Sequence, residues 1–454
     1  MYDWRRKNRS YQKAGTNWKK PVQPSTTPAP PFGNLIEELR ADYLSATAVS
    51  YEDNAAISEF SVVTSYSWLD SRESTILVPG RPPRWTPLQK PHRLPEDSGE
   101  YFRDQNAARY PRHPMEPAIL AGLDASPELG RQQKVDVVAC SSTLGNLLRF
   151  VRGQDKSFRM VVEMVEGTVF FIRRENSPTE LIPDVRGFGH TFPEHYTTWD
   201  PDVKGSTCHQ RLLRYSFGGL QFLVRFGADG YMEDTDRAST KSSAPTRGKA
   251  PVLVSELAAS LDDAEISRKV SASKAGVTIQ AGGSLVDQSR IFDLKTRSFR
   301  KKDQDTIGEE LPRLWVAQIP KFVLAYHADG VFNDIHVLDV HEHVQEWERE
   351  NKAVLSKLAA LIHRITSLLA AGSSQKLELY HKGTGVLEVR KALPDVADAL
   401  SPEVKAKWTA RIEDTDEGLG GLGDDDLTQW NDEPEDDYTA CSRSCGYCGR
   451  CIYS

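Results

Sequence analysis

The chain has 454 residues, a formal net charge of −7 and 39% hydrophobic residues, which suits one large domain with polar tails. Only six cysteines are present, four of them in the last 14 residues. This usage excludes a disulfide framework and favours a reducing compartment, nuclear or cytoplasmic. An apolar run of about 20 residues and an apolar secretory leader are both missing, so we expect no membrane contact.

The N-terminal region is basic and rich in proline. Its first 20 positions hold seven basic side chains against one acid, Asp3. We interpret residues 1–33 as a disordered arm, and its interleaved aromatic side chains also suit a polyanion. The next segment, NLIEELRADYL, has the spacing of a short amphipathic helix. Residues 77–117 are rich in Pro and Arg and predict an extended wrap, because proline removes donors from helices and central strands.

Residues 34–411 are expected to form one domain, with regular structure clearest after residue 134. VDVVACSSTLGNLLRFVRG predicts a strand and a helix, and two hairpins follow, with turns at Glu166-Gly167 and Gly218-Gly219. A Ser/Thr/Lys/Pro-rich stretch predicts a flexible insertion at about residues 233–270. Two strands, a short helix, a hairpin turning at Asp329-Gly330, a long helix ending at Gly372 and a last hairpin complete the domain. The predicted class is α/β (α+β), a mixed sheet core with flanking helices.

The C-terminal region divides into two parts. Residues 412–440 form an acidic linker, in which twelve acids lie between Glu413 and Asp437. Residues 441–454 carry Cys441, Cys445, Cys448 and Cys451 within 11 positions. Thiolates cluster for soft metals, so this spacing predicts a knuckle that binds Zn²⁺ or an iron–sulfur cluster, with chance clustering as the alternative.

One predicted strand, SRIFDLKTRS, carries an acid and a lysine between apolar neighbours. Asp293 and Lys295 share a face because strand side chains alternate. Asp229 ends the strand of the second hairpin. If the strand that ends at Asp229 lies beside the strand of Asp293, these two carboxylates suit Mg²⁺ or Mn²⁺. Lys295 can then neutralise charge on a phosphoryl group. A cross-strand ion pair with a purely structural role is the other interpretation.

Several segments in order resemble the DXO-type decapping exoribonucleases, over roughly residues 158–370. They are FRMVVEMVEGTVFFIRRE, RGFGHTFPE, LQFLVRFGADG, IFDLKTRS and RLWVAQIPKFVLAYHADGVF. The chain is similar to a divergent, fungal-like member of that family. The resemblance implies an α/β core of two mixed sheets, of the Asp-(Asp/Glu)-x-Lys nuclease type.

The resemblance also implies roles for particular residues. Glu194, Asp229 and Asp293 would be ligands of Mg²⁺ or Mn²⁺. Lys295, Gln318 and Asp293 would carry the catalysis. The implied function is metal-dependent hydrolysis at RNA 5′ ends, with a 5′-3′ exoribonuclease as a further partner.

Three departures from the family pattern keep other functions open. Gly227 stands where the family has the first acid of its Glu-x-Asp strand, and Asp293 replaces a longer glutamate. The segment RLWVAQ fits the family's Lys-to-Gln helix only with a one-residue offset, so Arg313 is a poor match for the lysine of that helix. A nuclease relative that has lost catalysis and binds RNA or a partner exonuclease is therefore the first alternative. A structural scaffold with an interaction role is the second.

Overall fold

The computed structural model describes residues 27–130, 132–183, 185–233, 270–272, 276–372 and 375–409. Within them, the strands are β1 (Leu35–Arg40), β2 (Ser58–Leu69), β3 (Thr75–Gly80), β4 (Arg84–Trp85), β5 (Val137–Cys140), β6 (Phe158–Val165), β7 (Thr168–Arg173), β8 (Thr197–Thr198), β9 (Ser206–Phe217), β10 (Leu220–Ala228), β11 (Gly230–Tyr231), β12 (Val270–Ala272), β13 (Thr278–Gly283), β14 (Ile291–Ser298), β15 (Lys321–Ala328), β16 (Val331–Asp339), β17 (Lys376–His381) and β18 (Val386–Lys391). The α-helices are α1 (Ser45–Ala48), α2 (Gln105–Arg109), α3 (Glu116–Ala125), α4 (Ser141–Val151), α5 (Thr191–Tyr196), α6 (Thr306–Ala317), α7 (His341–Glu350), α8 (Lys352–Ala371) and α9 (Pro402–Thr409).

The strands form two mixed sheets. The larger sheet has 12 strands in the order β1-β18-β17-β6-β7-β5-β10-β9-β2-β3-β13-β12. The smaller has six strands in the order β16-β15-β14-β11-β4-β8. In the larger sheet β7, β5 and β10 run parallel to one another, so their carboxyl ends lie at the same edge. Ligands of open α/β sheets commonly bind beside such an edge.

Helices cover the sheets and enclose the hydrophobic core. The largest core cluster joins α4, α6, α7 and α8 to residues of both sheets, among them Leu147, Trp315 and Leu361. In the described part of the chain, α8 is long and apolar enough to cross a membrane by length and composition alone. Half of that apolar stretch is buried inside the fold, where Leu355, Leu358 and Ile362 belong to the same core cluster.

The predicted class is confirmed: the protein is a mixed α/β fold with two mixed sheets and flanking helices. The predicted hairpins are present as β6–β7, β9–β10, β15–β16 and β17–β18. The segments predicted as strand-then-helix and as the short and long helices form β5–α4, α6 and α8.

Two local predictions are wrong. The segment predicted as an amphipathic helix contains β1, which pairs antiparallel with β18 and buries Leu39. The proline-rich stretch of residues 77–117, which was expected to lie outside central strands, overlaps the second half of β3, and β3 lies between β2 and β13. Helices α2 and α3 also begin within that stretch, and Asp104 caps α2 by accepting from the N–H groups of Asn106 and Ala107. In both places non-local pairing or capping outweighs the local sequence preference.

The predictions for the tails fall outside the described residues. These are most of the basic arm (residues 1–33), most of the insertion (residues 233–270), the acidic linker (residues 412–440) and the cysteine knuckle (residues 441–454). They stay predictions.

Candidate functional site

Asp229 is the single residue between β10 of the larger sheet and β11 of the smaller sheet. The chain therefore passes from one sheet to the other at this position. Gly230 pairs with Phe292 of β14, which places Asp229 beside Asp293 in the antiparallel register. A Cβ atom on Gly230 would lie 2.4 Å from the Phe292 ring and 2.7 Å from the Pro83 carbonyl oxygen. Only glycine allows this close approach, so the crossing depends on it.

Asp229 and Asp293 form a carboxylate pair at the junction of the sheets. The Leu294 N–H donates to Asp229 Oδ2 at 2.8 Å and to Asp293 Oδ1 at 2.7 Å. Asp293 is 3% exposed, whereas Asp229 opens onto a cavity. Although Asp229 is exposed toward the cavity, desolvation by the surrounding protein, followed by the adjacent Asp293 carboxylate, raises its pKa well above the ordinary value. Two like charges this close are relieved by a proton or by a cation.

A second layer of charge surrounds the pair. Arg313 of α6 forms an ion pair with Asp293, and its Nε donates to Glu310 Oε2 at 3.0 Å. Lys295 Nζ lies 2.9 Å from Glu310 Oε1, so one carboxylate holds both cations. Burial opposes ionisation of Glu310, but Arg313 and Lys295 outweigh it and keep the pKa of Glu310 below its ordinary value. The sequence pattern did not identify Glu310 as a site residue; its three-residue spacing from Arg313 on an amphipathic helix was the available signal.

A cavity of about 540 Å³ lies at this edge of the larger sheet. We call it the central cavity. The carboxyl ends of the three parallel strands contribute Cys140, Arg173 and Asp229 to its lining. Phe102 also lines it and is 41% exposed, which is unusual for a large aromatic side chain and leaves a face available for stacking.

Several cations lie at or near the central cavity. Arg103 and Arg173 line it. Burial lowers the pKa of Lys156, and repulsion from Arg149, Arg173, Arg103 and Lys295 lowers it further. Arg103 and Arg173 are each paired with an acid, Glu180 and Glu175 respectively, so cations and carboxylates both lie at this side of the cavity.

His209 is a buried, neutral member of the cavity lining. It is 2% exposed, and its Nδ1 lies 2.9 Å from Ser67 Oγ. Burial, followed by the charge of Arg211, lowers the pKa of His209 well below its ordinary value. Its Nε2 lacks a hydrogen-bond partner among the described residues, so the ring keeps one polar atom available.

The structure brings together only some of the predicted site residues. Asp229, Asp293 and Lys295 lie close together as described above. Glu194, in α5, is exposed and lines the central cavity together with Asp229. Gln318 caps the end of α6 in a left-handed conformation, and its Nε2 donates to the Trp315 carbonyl at 2.7 Å. The backbone carbonyl of Gln318 accepts a hydrogen bond from the Gln288 side chain at 3.0 Å. Within the described residues, the hydrogen bonds of Gln318 do not reach the carboxylate pair.

The donor set decides which metal arrangement fits. Among the described residues, His, Cys, Asp and Glu side chains form no group of three or more that could hold an ion. The predicted trio of Glu194, Asp229 and Asp293 is therefore not assembled as one centre. Asp229 and Asp293 alone do suit one Mg²⁺ or Mn²⁺ ion, which commonly takes one or two carboxylates and completes its shell with water and substrate phosphate. The like-charge contact of the two carboxylates supports this fit, because the Arg313 ion pair is made with Asp293 and not with Asp229.

Comparison with known proteins gives one family match. The family model described as a domain of unknown function, DUF8563, matches residues 45–388. A search of curated proteins found no significant match.

Several solved structures are similar to the protein over most of its length. S. pombe Rai1 has 11% identity and a TM-score of 0.46, with 79% of this chain and 99% of that chain covered. Candida albicans Rai1 in complex with pU5-Mn²⁺ has 8% identity and a TM-score of 0.47, covering 78% and 95%. K. lactis Dxo1 in complex with manganese has 9% identity and a TM-score of 0.44, covering 82% and 97%.

Proposed function

The chain belongs to the DUF8563 family, and we propose that it is a metal-dependent hydrolase that acts on phosphodiester bonds at RNA 5′ ends. The observation that carries the proposal is the carboxylate pair of Asp229 and Asp293 at the junction of the two sheets, beside Lys295. Asp229 opens onto a cavity that is large enough for a nucleotide and is lined by arginine. A two-carboxylate site beside a cavity with arginine in its lining suits a phosphorylated polyanion.

Each side chain of this site has a separate role in the proposed reaction. Asp229 and Asp293 would hold one Mg²⁺ or Mn²⁺ ion, which polarises a phosphoryl oxygen and lowers the pKa of a bound water. Lys295 neutralises charge that develops on the phosphoryl oxygens, and Glu310 fixes its position at 2.9 Å. Arg103 and Arg173 attract the RNA backbone to the central cavity, while the exposed face of Phe102 stacks with a base.

A second candidate function is RNA binding without cleavage. Two observations favour it. Arg313 already compensates Asp293, and Gly227 supplies no carboxylate next to Asp229. With these features the site would keep its cationic surroundings and its cavity while it binds a divalent ion too weakly for catalysis.

Digestion of a 5′-phosphorylated RNA oligonucleotide in Mg²⁺ or Mn²⁺ separates the two functions. We expect cleavage by the parent protein and its loss in Asp293→Asn and Lys295→Ala. Lys391→Gln, which changes an exposed cation on β18 of the larger sheet, is the matched control and should cleave normally. RNA binding with no cleavage by the parent protein in either metal would sink the hydrolase proposal and favour the second candidate.

A further inference from the structure

Arg313 is held beside the carboxylate pair by two different acids. One guanidinium nitrogen, Nη1, pairs with Asp293, and Nε donates to Glu310 at 3.0 Å. Glu310 is in turn only 8% exposed and is fixed by Lys295 on its other oxygen. The guanidinium plane therefore has a defined orientation in the protein before any ligand binds.

Part of the guanidinium group is still available to a ligand. An arginine carries five N–H donors in a planar fork. The contacts above use Nη1 and Nε, and Nη2 makes no recorded hydrogen bond or ion pair within the described residues. The Arg313 side chain is 46% exposed, whereas the Asp293 side chain that it compensates is 4% exposed.

We propose that Arg313 is a phosphate-binding residue: it uses the open side of its guanidinium to take an oxygen of a phosphoryl group, without the help of a divalent ion. The ligand class is a phosphate mono- or diester of a nucleic acid. The inference rests on the proposed function only for its substrate class, because the binding does not require cleavage. The guanidinium fork matches the geometry of a phosphate, and a lysine ammonium at the same place carries the same charge without that geometry.

Glu310 acts as a positioning residue in this arrangement. It fixes both Arg313 and Lys295 through its two carboxylate oxygens, so two cations stand at set places next to Asp293. The phosphate would approach the exposed sides of both. An arginine that is oriented in advance loses less conformational entropy when it binds, which makes the contact more favourable than one from a free surface arginine.

The test measures binding of a 5′-phosphorylated single-stranded RNA to the full chain in EDTA, by fluorescence anisotropy over a series of salt concentrations. Arg313→Lys keeps the charge, so the slope of affinity against salt should stay the same, while affinity falls roughly tenfold because the fork is lost. Glu310→Gln should weaken binding to a smaller extent, since the cations keep their charge but lose their common anchor. Arg300→Gln, an exposed arginine of the turn Phe299–Lys301, is the matched control and should bind within about twofold of the parent.

The outcomes separate this inference from the hydrolase proposal. A parent protein that binds RNA in EDTA but never cleaves it contradicts hydrolysis and leaves the role of Arg313 standing. Parent-like affinity in a folded Arg313→Lys would overturn the role of Arg313, as would a parent protein that does not bind RNA in EDTA. If Arg313→Lys does not fold, the double variant Asp293→Asn/Arg313→Gln replaces it, because it removes both charges of the pair together. Parent-like binding by that double variant would overturn the inference equally.

Discussion

The ion pair between Asp293 and Arg313 should respond very unequally to the loss of either partner. Arg313→Gln leaves the nearly buried Asp293 next to Asp229 without its cation. Removal of one partner of a buried pair costs about 3–5 kcal/mol. Because the Arg313 side chain is 46% exposed, water replaces part of the interaction, and we expect a loss of about 2 kcal/mol. Asp293→Asn instead removes the like-charge contact with Asp229 and leaves Arg313 paired with Glu310, so its cost should stay below about 0.5 kcal/mol.

Urea unfolding at pH 7, followed by circular dichroism, measures this difference. With a slope of about 3 kcal/mol/M, a loss of about 2 kcal/mol lowers the midpoint of Arg313→Gln by roughly 0.7 M. Asp293→Asn should unfold close to the parent midpoint. Equal losses in the two variants, or a larger loss in Asp293→Asn, would refute the reasoning that the uncompensated buried carboxylate carries the cost.

Three further predictions follow from the same junction. The pKa of Asp229 is raised by desolvation and by Asp293, so the folded protein loses stability as the pH rises through the folded pKa of this carboxyl group. Urea titrations should therefore show that Asp229→Asn unfolds at higher urea than the parent at pH 7 and at the same urea concentration at pH 3. Gly227→Glu adds a carboxylate two residues before Asp229, at a position where a Cβ atom would make only an ordinary contact at 3.4 Å. Calorimetry should show that this variant binds Mn²⁺ more tightly than the parent and than the exposed control Val337→Glu. Gly230→Ala forces a Cβ into the Phe292 ring and should lower the free energy of unfolding by about 1–3 kcal/mol; an unchanged urea midpoint would show that the sheet crossing tolerates a side chain.

The parts of the fold that follow from local patterns were predictable from the sequence. Alternating apolar residues and the Gly218-Gly219 turn identified the β9–β10 hairpin, and the three- and four-residue spacing of leucines identified α8. The segment LIEELR has equally good helical spacing but forms β1, because pairing with β18 is a contact with residues about 350 positions later. A local pattern carries no information about such a partner.

Some features of the candidate site were likewise predictable from the sequence, and others were not. That Asp293 and Lys295 lie on one strand with Asp229 at a strand end was predictable, since each statement concerns one segment. That Asp229 lies next to Asp293 depends on Gly230 pairing across two sheets, which the sequence only suggested through the family resemblance. The contacts of Arg313 and Glu310 with β14 depend on how α6 packs, and the sequence pattern contains no signal for that geometry.

The central claim is that Asp229 and Asp293 together bind a divalent ion that drives RNA hydrolysis. Digestion of a 5′-phosphorylated RNA by the purified full chain, with Mn²⁺ and with EDTA, tests it most directly when the parent is compared with Asp293→Asn. We predict that the parent degrades the RNA only in Mn²⁺ and that Asp293→Asn does not degrade it in either condition. Degradation that persists in EDTA, or equal degradation by Asp293→Asn, would contradict the claim.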